Sequence, residues 1–242
     1  MTKVLFLCSG NTCRSPMAEG LARTIFGDTH TIESAGAEAA VGEPAAKHAV
    51  TALSELGADI SNHRASQFVP GALGTFDTIV VIRPSAAESV PLPPSANVDF
   101  IDVQDPYGGS LDDYRKAARR IQLAVRELYA TDVIRRLESP SPPAGSHLAG
   151  LYIRAARELE KELRALVATT PGLKVGPKST LGTLAMALGK KGDPAHTNLA
   201  AAADKANSAW VALKHAVDPD LPMLKAGVHA IVQACRLIAQ LQ

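Results

Sequence analysis

Apolar residues in the first half of the chain follow two patterns. Short extended runs predict buried strands, and apolar residues that recur every three or four positions predict amphipathic helices. The predicted strands are Val4–Leu7, Thr31–Ser34, Thr78–Ile82 and Val98–Ile101. The predicted helices are Ser15–Phe26, Pro44–Leu56 and Leu111–Ala130. Because strands alternate with helices, we predict an α/β fold in which helices flank a four-stranded parallel sheet.

The second half follows only the helical pattern, and a linker separates it from the first. Residues 139–146 are Ser, Pro, Ala and Gly, which interrupt helices and favour an extended spacer. The helices predicted beyond it are His147–Thr169, Ser179–Leu188 with Ser179 as its cap, Pro194–Ala216 and Pro222–Leu241. We therefore predict a first domain at 1–137, a Ser/Pro-rich linker at 138–146 and a small all-α domain, a helical bundle, at 147–242.

Composition and charge narrow the class of protein. The 242 residues are 46% apolar, enough to bury a core, and the net charge of +1 gives no overall attraction to nucleic acid or to a membrane surface. Residues 1–140 hold 13 basic and 17 acidic side chains, whereas residues 141–242 hold 12 basic and 7 acidic ones. This asymmetry suggests two modules with different surfaces, although scattered charges on ordinary solvated helix faces also explain it.

The chain carries no sign of a membrane segment or of export. The apolar run Val4–Leu7 is too short for the core of a signal peptide, and no run approaches transmembrane length. Three cysteines, two of them five residues apart, do not form a disulfide framework. We therefore expect a cytoplasmic protein with no membrane partner, in a compartment that keeps its thiols reduced.

A candidate phosphate site follows the first strand, where Cys8, a short polar loop and Arg14 lead directly into a helix. Backbone N–H groups of such a loop and the positive end of the helix converge on one point, which suits a bound anion. We expect Cys8 to be the nucleophile, and Arg14 and the N–H groups of residues 9–14 to hold the phosphate oxygens. The loop residues with supporting roles are Ser9, Gly10, which tolerates a positive φ, Asn11, which braces the loop, Thr12, Cys13 and Ser15, which can donate to the thiolate.

Phosphoryl transfer also needs a proton for the leaving atom, and Asp105 is the candidate acid. It follows the fourth predicted strand, at the sheet edge where Cys8 ends the first, and Pro106 keeps it extended. A simple turn-forming Asp-Pro pair is the alternative interpretation.

With these residues the chain resembles the low-molecular-weight protein tyrosine phosphatases, a family that also includes arsenate reductases. The matching segments, in family order, are residues 8–16 with Ala18-Glu19, Ser34-Ala35-Gly36, His63-Arg64-Ala65-Ser66, Phe76-Asp77 and Asp105-Pro106-Tyr107. The resemblance covers residues 1–135. It implies a phosphorylated protein as substrate. The sequence contains no metal-ligand spacing, so we expect no metal and no cofactor. The resemblance also implies that Cys8 forms a cysteinyl-phosphate, that Arg14 clamps the phosphate, and that Asp105 acts first as general acid and then as general base.

Two details are similar to the bacterial protein-arginine phosphatases within this family. Thr12 stands where tyrosine phosphatases usually carry Ile or Leu, and Gly108-Gly109-Ser110 follows Asp-Pro-Tyr where they usually carry a second aromatic residue. A small hydroxyl side chain at Thr12 leaves room for a branched phosphoguanidinium, and Tyr107 can form a wall of the entrance. The predicted substrate is therefore phosphoarginine, with phosphotyrosine as the alternative.

The remaining cysteines bear on redox chemistry. Thioredoxin-coupled arsenate reductases of this family need a further cysteine pair in mid-chain, and no cysteine lies between Cys13 and Cys235, so we do not expect that activity. Cys13 fits either a small buried residue or the partner of Cys8 in a reversible protective disulfide.

Residues 147–242 lie beyond the family's usual length. They are faintly similar to the helical C-terminal domain of phage abortive-infection proteins. Their partner cannot be read from the sequence, so a phosphate-sensing or defence-related binding module is the alternative from another functional class.

Overall fold

The structure is a computed structural model that describes residues 2–83, 98–138, 145–176, 179–215 and 221–241. Its four strands are β1 (Thr2–Cys8), β2 (His30–Gly36), β3 (Thr78–Arg83) and β4 (Val98–Asp102). All neighbouring pairs are parallel, in the order β2-β1-β3-β4. The predicted α/β fold with a four-stranded parallel sheet is confirmed.

The described residues form seven α-helices, and in the second half of the chain they form helices and no strands, as predicted. Three belong to the α/β half: α1 (Arg14–Phe26), α2 (Lys47–Glu55) and α3 (Leu111–Leu137). Four follow: α4 (Gly145–Thr169), α5 (Leu181–Gly189), α6 (Pro194–His215) and α7 (Leu221–Leu241). None of the described helices combines the length and the apolar character that crossing a bilayer requires.

Strand register aligns the carboxyl ends of the sheet. Cys8 at the end of β1 lies opposite Gly36 at the end of β2, and Arg83 at the end of β3 lies opposite Asp102 of β4. The strands are fixed in this register by a buried core cluster on one face of the sheet. This cluster comprises Leu5, Leu7, Ala35, Phe68, Ile79 and Val81. The loops that follow the strands therefore meet at one edge.

The starts of α2 and α5 lie later than predicted, for local reasons. α2 begins at Lys47 rather than Pro44, because Pro44 forms a β-bridge with Arg64. α5 begins at Leu181, and its cap is Thr180, whose hydroxyl accepts from the Thr183 N–H, rather than Ser179. The Ser179 hydroxyl instead donates to the Gly176 carbonyl in the preceding turn.

The longest helix extends seven residues beyond its predicted end at Ala130. Val133 and Leu137 in the additional turns are buried, so the packing of these apolar side chains stabilises the extension. The chain separates into two compact units within this helix, residues 1–125 and residues 126–242. The predicted domain boundary lies later, at 137, and most of the predicted linker, residues 139–144, lies outside the described residues.

The second unit is helical and has its own buried core. The guanidinium of Arg126 bonds to the carboxylates of Glu158, at 3.1 Å, and of Glu162, and all three side chains are buried. The buried Tyr152 hydroxyl donates to the Ala206 carbonyl at 2.5 Å, which joins α4 to α6. Burial without a charged partner raises the pKa of Tyr152, so this hydroxyl stays protonated as a donor.

Candidate active site

The chain turns sharply at the end of β1, where the buried Cys8 is followed by a five-residue loop and then by α1. The Cys8 Sγ lies 3.0 Å from the Ser15 hydroxyl, in the first turn of α1. Cys13 is the N-cap residue of α1, and no side chain caps the helix. The positive end of α1 and the sulfur of Cys8 thus face the same space.

The carbonyl groups of the loop are turned outward. The Cys8 carbonyl accepts from the Ala37 N–H at 2.9 Å, the Ser9 carbonyl from the Glu38 N–H at 2.8 Å, and the Thr12 carbonyl from the Ala46 N–H at 2.9 Å. In a planar trans peptide the N–H points away from the carbonyl. The N–H groups of the residues that follow these carbonyls therefore point to the inner side of the loop, where an anion can bind them.

Asn11 holds the loop in this shape from beneath. Its φ of 53° lies in the left-handed region, and its side chain is completely buried. The side-chain nitrogen donates to the hydroxyls of Ser15, at 2.8 Å, and Ser34, at 2.9 Å, while its oxygen accepts from the Ser66 N–H at 2.8 Å. The carbonyl of Asn11 lies 2.8 Å from His63 Nε2. One side chain thus joins the loop to α1, to β2 and to the segment around Ser66.

Behind Asn11, buried polar groups continue the network. The Ser34 hydroxyl donates to a carboxylate oxygen of Glu19 on α1, and His63 Nδ1 lies 3.8 Å from the same oxygen. Both contacts of His63 are to groups that support the loop, and His63 does not line the cavity over it.

Arg14 and Asp105 meet across the edge of the sheet. The buried Arg14 guanidinium donates to Asp105 Oδ2 at 2.6 Å, to the Ser9 hydroxyl at 3.3 Å and to the Ile82 carbonyl at 3.5 Å. The second carboxylate oxygen of Asp105 accepts from the Tyr107 N–H at 3.2 Å. The interpretations of Asp105 as a candidate acid and as a turn-forming residue are therefore compatible. One carboxylate oxygen accepts a hydrogen bond within the turn, and the other accepts from Arg14.

The Gly108-Gly109-Ser110 segment has a local structural role. Gly108 has a φ of 76°, and the Gly109 N–H donates to the Pro106 carbonyl at 2.9 Å, closing a turn. Ser110 immediately precedes α3, and its N–H and hydroxyl both donate to the carboxylate of Asp113 in the first turn. These hydrogen bonds hold the pKa of Asp113 below its usual value. The segment thus positions Tyr107, which is 75% exposed.

The Cys13 side chain contacts α3. Its Sγ lies 3.4 Å from the Tyr114 hydroxyl, and burial raises the pKa of the Cys13 thiol. Burial and the neighbouring Cys13 also raise the pKa of Tyr114. Both groups are protonated at neutral pH.

A cavity of about 270 Å³ lies over the loop. Most of the predicted site residues line it, but Asn11 and Ser15 do not, since they support the loop from below. Three lining residues had not been predicted: Glu38, Ala40 and Glu43, in the segment after β2. The signal that could have found them is their position, because that segment leaves the same sheet edge as Cys8. The full lining is Cys8, Ser9, Gly10, Thr12, Cys13, Arg14, Glu38, Ala40, Glu43, Asp105 and Tyr107.

Metal-binding groups were sought among the described residues. Within residues 2–83, 98–138, 145–176, 179–215 and 221–241, no three His, Cys, Asp or Glu side chains are arranged to hold a metal ion.

Comparison with known proteins matches the first half of the chain to a phosphatase family. The family described as low molecular weight phosphotyrosine protein phosphatase matches residues 3–139. Arsenate reductase 2 from Staphylococcus epidermidis is 34% identical over 123 residues, which are 50% of this chain and 92% of that protein.

Solved structures are similar over the same half of the chain. A low molecular weight protein tyrosine phosphatase from T. tengcongensis is 36% identical, with a TM-score of 0.50 over 54% of this chain and 99% of that one. The YwlE arginine phosphatase from Geobacillus stearothermophilus is 24% identical, with a TM-score of 0.48 over 59% of this chain and 100% of that one.

Proposed function

The chain belongs to the low molecular weight phosphotyrosine protein phosphatase family, and from that premise we propose that it is a cysteine-dependent protein phosphatase whose preferred substrate is phosphoarginine. The observation that carries the proposal is the arrangement of one cavity, in which a thiol, a buried guanidinium and a carboxylate from three separate segments face a loop of inward N–H groups. Each of these groups meets one requirement of phosphoryl transfer.

In the first step the Cys8 thiolate attacks phosphorus and a P–S bond forms as the P–N bond breaks. Asp105 gives its proton to the departing nitrogen, which takes the electron pair of the P–N bond, so arginine leaves with the same positive guanidinium charge that it carried in the substrate. Arg14 and the loop N–H groups hold the equatorial oxygens, where charge is spread in the transition state. Arg14 donates to Asp105 at 2.6 Å. A bound phosphate takes over these donors and releases Asp105, which takes up a proton from solvent and can then act as the acid.

In the second step the cysteinyl-phosphate is hydrolysed. Asp105, now ionised, takes a proton from a water molecule whose oxygen attacks phosphorus, and the P–S bond breaks to return the Cys8 thiolate. The Ser15 hydroxyl, 3.0 Å from the sulfur, stabilises this leaving thiolate by donating to it. No cofactor and no metal enters either step.

Substrate choice rests on Thr12 and Tyr107, both in the lining of the cavity. A phosphoguanidinium is planar and branched next to phosphorus, so it needs space and a hydrogen-bond partner there. Thr12 supplies a short side chain with a hydroxyl, and the exposed ring of Tyr107 can stack on the guanidinium plane.

The test compares two peptides of one sequence, carrying phosphoarginine or phosphotyrosine, with the wild type, Thr12→Ile and Thr12→Val. We expect the wild type to prefer phosphoarginine, and Thr12→Ile to lose about tenfold to a hundredfold in kcat/KM for that peptide alone. Thr12→Val keeps the shape and removes the hydroxyl, so it separates size from hydrogen bonding. A wild type that prefers phosphotyrosine, with no response to Thr12→Ile, would overturn the proposal in favour of a tyrosine phosphatase.

The relatives named as arsenate reductases favour a second candidate that can be tested directly. Reduction of arsenate to arsenite takes two electrons, which thiols supply by forming a disulfide. The matched segment holds Cys8 and Cys13 only, and burial raises the pKa of the Cys13 thiol, which makes it a poor nucleophile for that step. With thioredoxin, thioredoxin reductase and arsenate present, we expect no arsenate-dependent oxidation of NADPH.

A further inference from the structure

The catalytic cavity has an acidic rim that the proposed mechanism does not use. Of the described residues that line it, Arg14 alone is basic, whereas Glu38, Glu43 and Asp105 carry carboxylates. Asp105 is paired with Arg14. Glu38 and Glu43 are exposed, and neither forms an ion pair within the described part of the chain. The mouth of the cavity is therefore negatively charged.

Both glutamates are held at the mouth by their backbones. The Glu38 N–H donates to the Ser9 carbonyl at 2.8 Å, so Glu38 is fixed directly to the phosphate loop. The Glu43 carbonyl accepts from the Ala65 N–H at 2.8 Å, and its N–H donates to the Ala40 carbonyl at 3.1 Å. These hydrogen bonds fix the backbones of Glu38 and Glu43 at opposite ends of one short segment. Their side chains reach solvent at the entrance of the cavity.

A negative rim is an unfavourable entrance for an ordinary phosphomonoester. Phosphotyrosine carries about two negative charges at neutral pH, and the ring beside its phosphate is uncharged. Phosphoarginine differs because the guanidinium keeps its positive charge next to the phosphoryl group. Carboxylates at the rim therefore repel the first substrate, whereas they attract the cationic part of the second.

We infer that Glu38 and Glu43 are specificity-determining residues that select phosphoarginine over phosphotyrosine by charge. This inference rests on the proposed phosphoarginine phosphatase function and adds a second criterion to it. Thr12 discriminates by size and hydrogen bonding beside phosphorus, while the glutamates act on the charge of the substrate further out. The charge effect is screened by salt, because both carboxylates are exposed, whereas the effect of Thr12 is not.

The experiment uses the full chain with Glu38→Gln, Glu43→Gln and the double variant, and measures KM and kcat with the two phosphopeptides. Glu33→Gln is the matched control, since Glu33 is exposed on β2 outside the cavity lining. We expect the double variant to raise KM for phosphoarginine and to lower KM for phosphotyrosine, each by about threefold to tenfold, with little change in kcat. Increasing the salt concentration should reduce discrimination by the wild type toward that of the double variant.

A binding measurement removes any dependence on turnover. In the Cys8→Ser background, a phosphonate analogue of a phosphoarginine peptide should bind more weakly to the double variant than to the Glu33→Gln control. If the wild type prefers phosphoarginine but the double variant keeps the wild-type KM ratio and analogue affinity, the inference is wrong and the proposed function stands. If the wild type does not turn over phosphoarginine, the proposed function itself is wrong.

Discussion

The guanidinium of Arg14 and the carboxylate of Asp105 form a 2.6 Å ion pair although 91 residues separate them along the chain. Arg14 is 1% exposed, whereas the Asp105 side chain is 38% exposed. A buried cation needs a partner, and Asp105 provides it. A phosphate that enters the cavity competes with Asp105 for the same donors. In the proposed mechanism the pair therefore couples phosphate binding to the release of the Asp105 carboxylate.

Asp105→Asn should separate binding from turnover. We expect kcat to fall by about a hundredfold to ten-thousandfold, because the proton donor is lost. Inorganic phosphate should bind more tightly, because an amide competes less strongly for Arg14 and does not repel the anion. Steady-state kinetics and the inhibition constant of phosphate measure the two effects. The exposed Asp28→Asn provides the charge control, and unchanged phosphate affinity in Asp105→Asn would argue against the competition.

Asn11 offers a comparison of backbone strain with side-chain hydrogen bonding. Asn11→Ala removes the bonds to Ser15, Ser34 and Ser66 and places a residue that disfavours positive φ at 53°. Asn11→Gly removes the same bonds but tolerates that φ. We expect both variants to lose activity, and Asn11→Gly to be more stable than Asn11→Ala by about 1 kcal/mol. Thermal unfolding and kcat distinguish the contributions, and equal stabilities would exclude backbone strain at this position.

Gly36 lies where β2 passes under the loop of residues 9–13. A Cβ at this position would lie 2.6 Å from the Ser9 carbonyl oxygen and 2.9 Å from the Asn11 nitrogen. Gly36→Ala should therefore displace the loop and reduce kcat by about tenfold to a hundredfold. Gly71→Ala is the matched control, since its Cβ meets no atom within 4 Å. If the two variants turn over substrate equally, the loop tolerates displacement and its geometry matters less than we propose.

A substitution in the helical unit tests whether that unit is a separate domain, as we propose from the sequence. Gly227 on α7 contacts α4 and α6, and a Cβ there would lie 2.6 Å from Ala209 Cβ and 2.8 Å from the Tyr152 ring. Gly227→Ala should destabilise the helical unit by about 1–3 kcal/mol through overpacking. Gly150→Ala, with open space around its Cβ, should be neutral or slightly stabilising.

Calorimetry and measurements of phosphatase activity together distinguish the possible outcomes for Gly227→Ala. If the two units are separate domains, Gly227→Ala shifts only one of two unfolding transitions and leaves kcat at 25 °C unchanged. A single transition that shifts as a whole, together with a loss of activity, would mean that the units fold as one.

Much of the fold was predictable because its signals are local. β1 and β3 contain short apolar or β-branched runs, and the sheet follows from the alternation of strands with helices. Family membership was equally accessible, since the segments from Cys8 to Tyr107 keep their residue types and order. Helix ends were less accessible. The starts of α2 and α5 depend on contacts made by Pro44 and Thr180, and the hydrophobic pattern does not show these contacts.

The sequence by itself determined which residue types stand where strands end and the next helix begins: a thiol at the end of β1, an arginine at the start of α1 and an aspartate after β4. Only the tertiary structure decided how these groups are used. The left-handed backbone of Asn11, the outward carbonyls of the loop and the approach of Arg14 to Asp105 all depend on partners from other segments. The same is true of Glu38 and Glu43, which have no motif of their own and reach the cavity because parallel strands end at one edge. Local propensity selects the elements, but contacts between residues far apart in the chain select the geometry of the site.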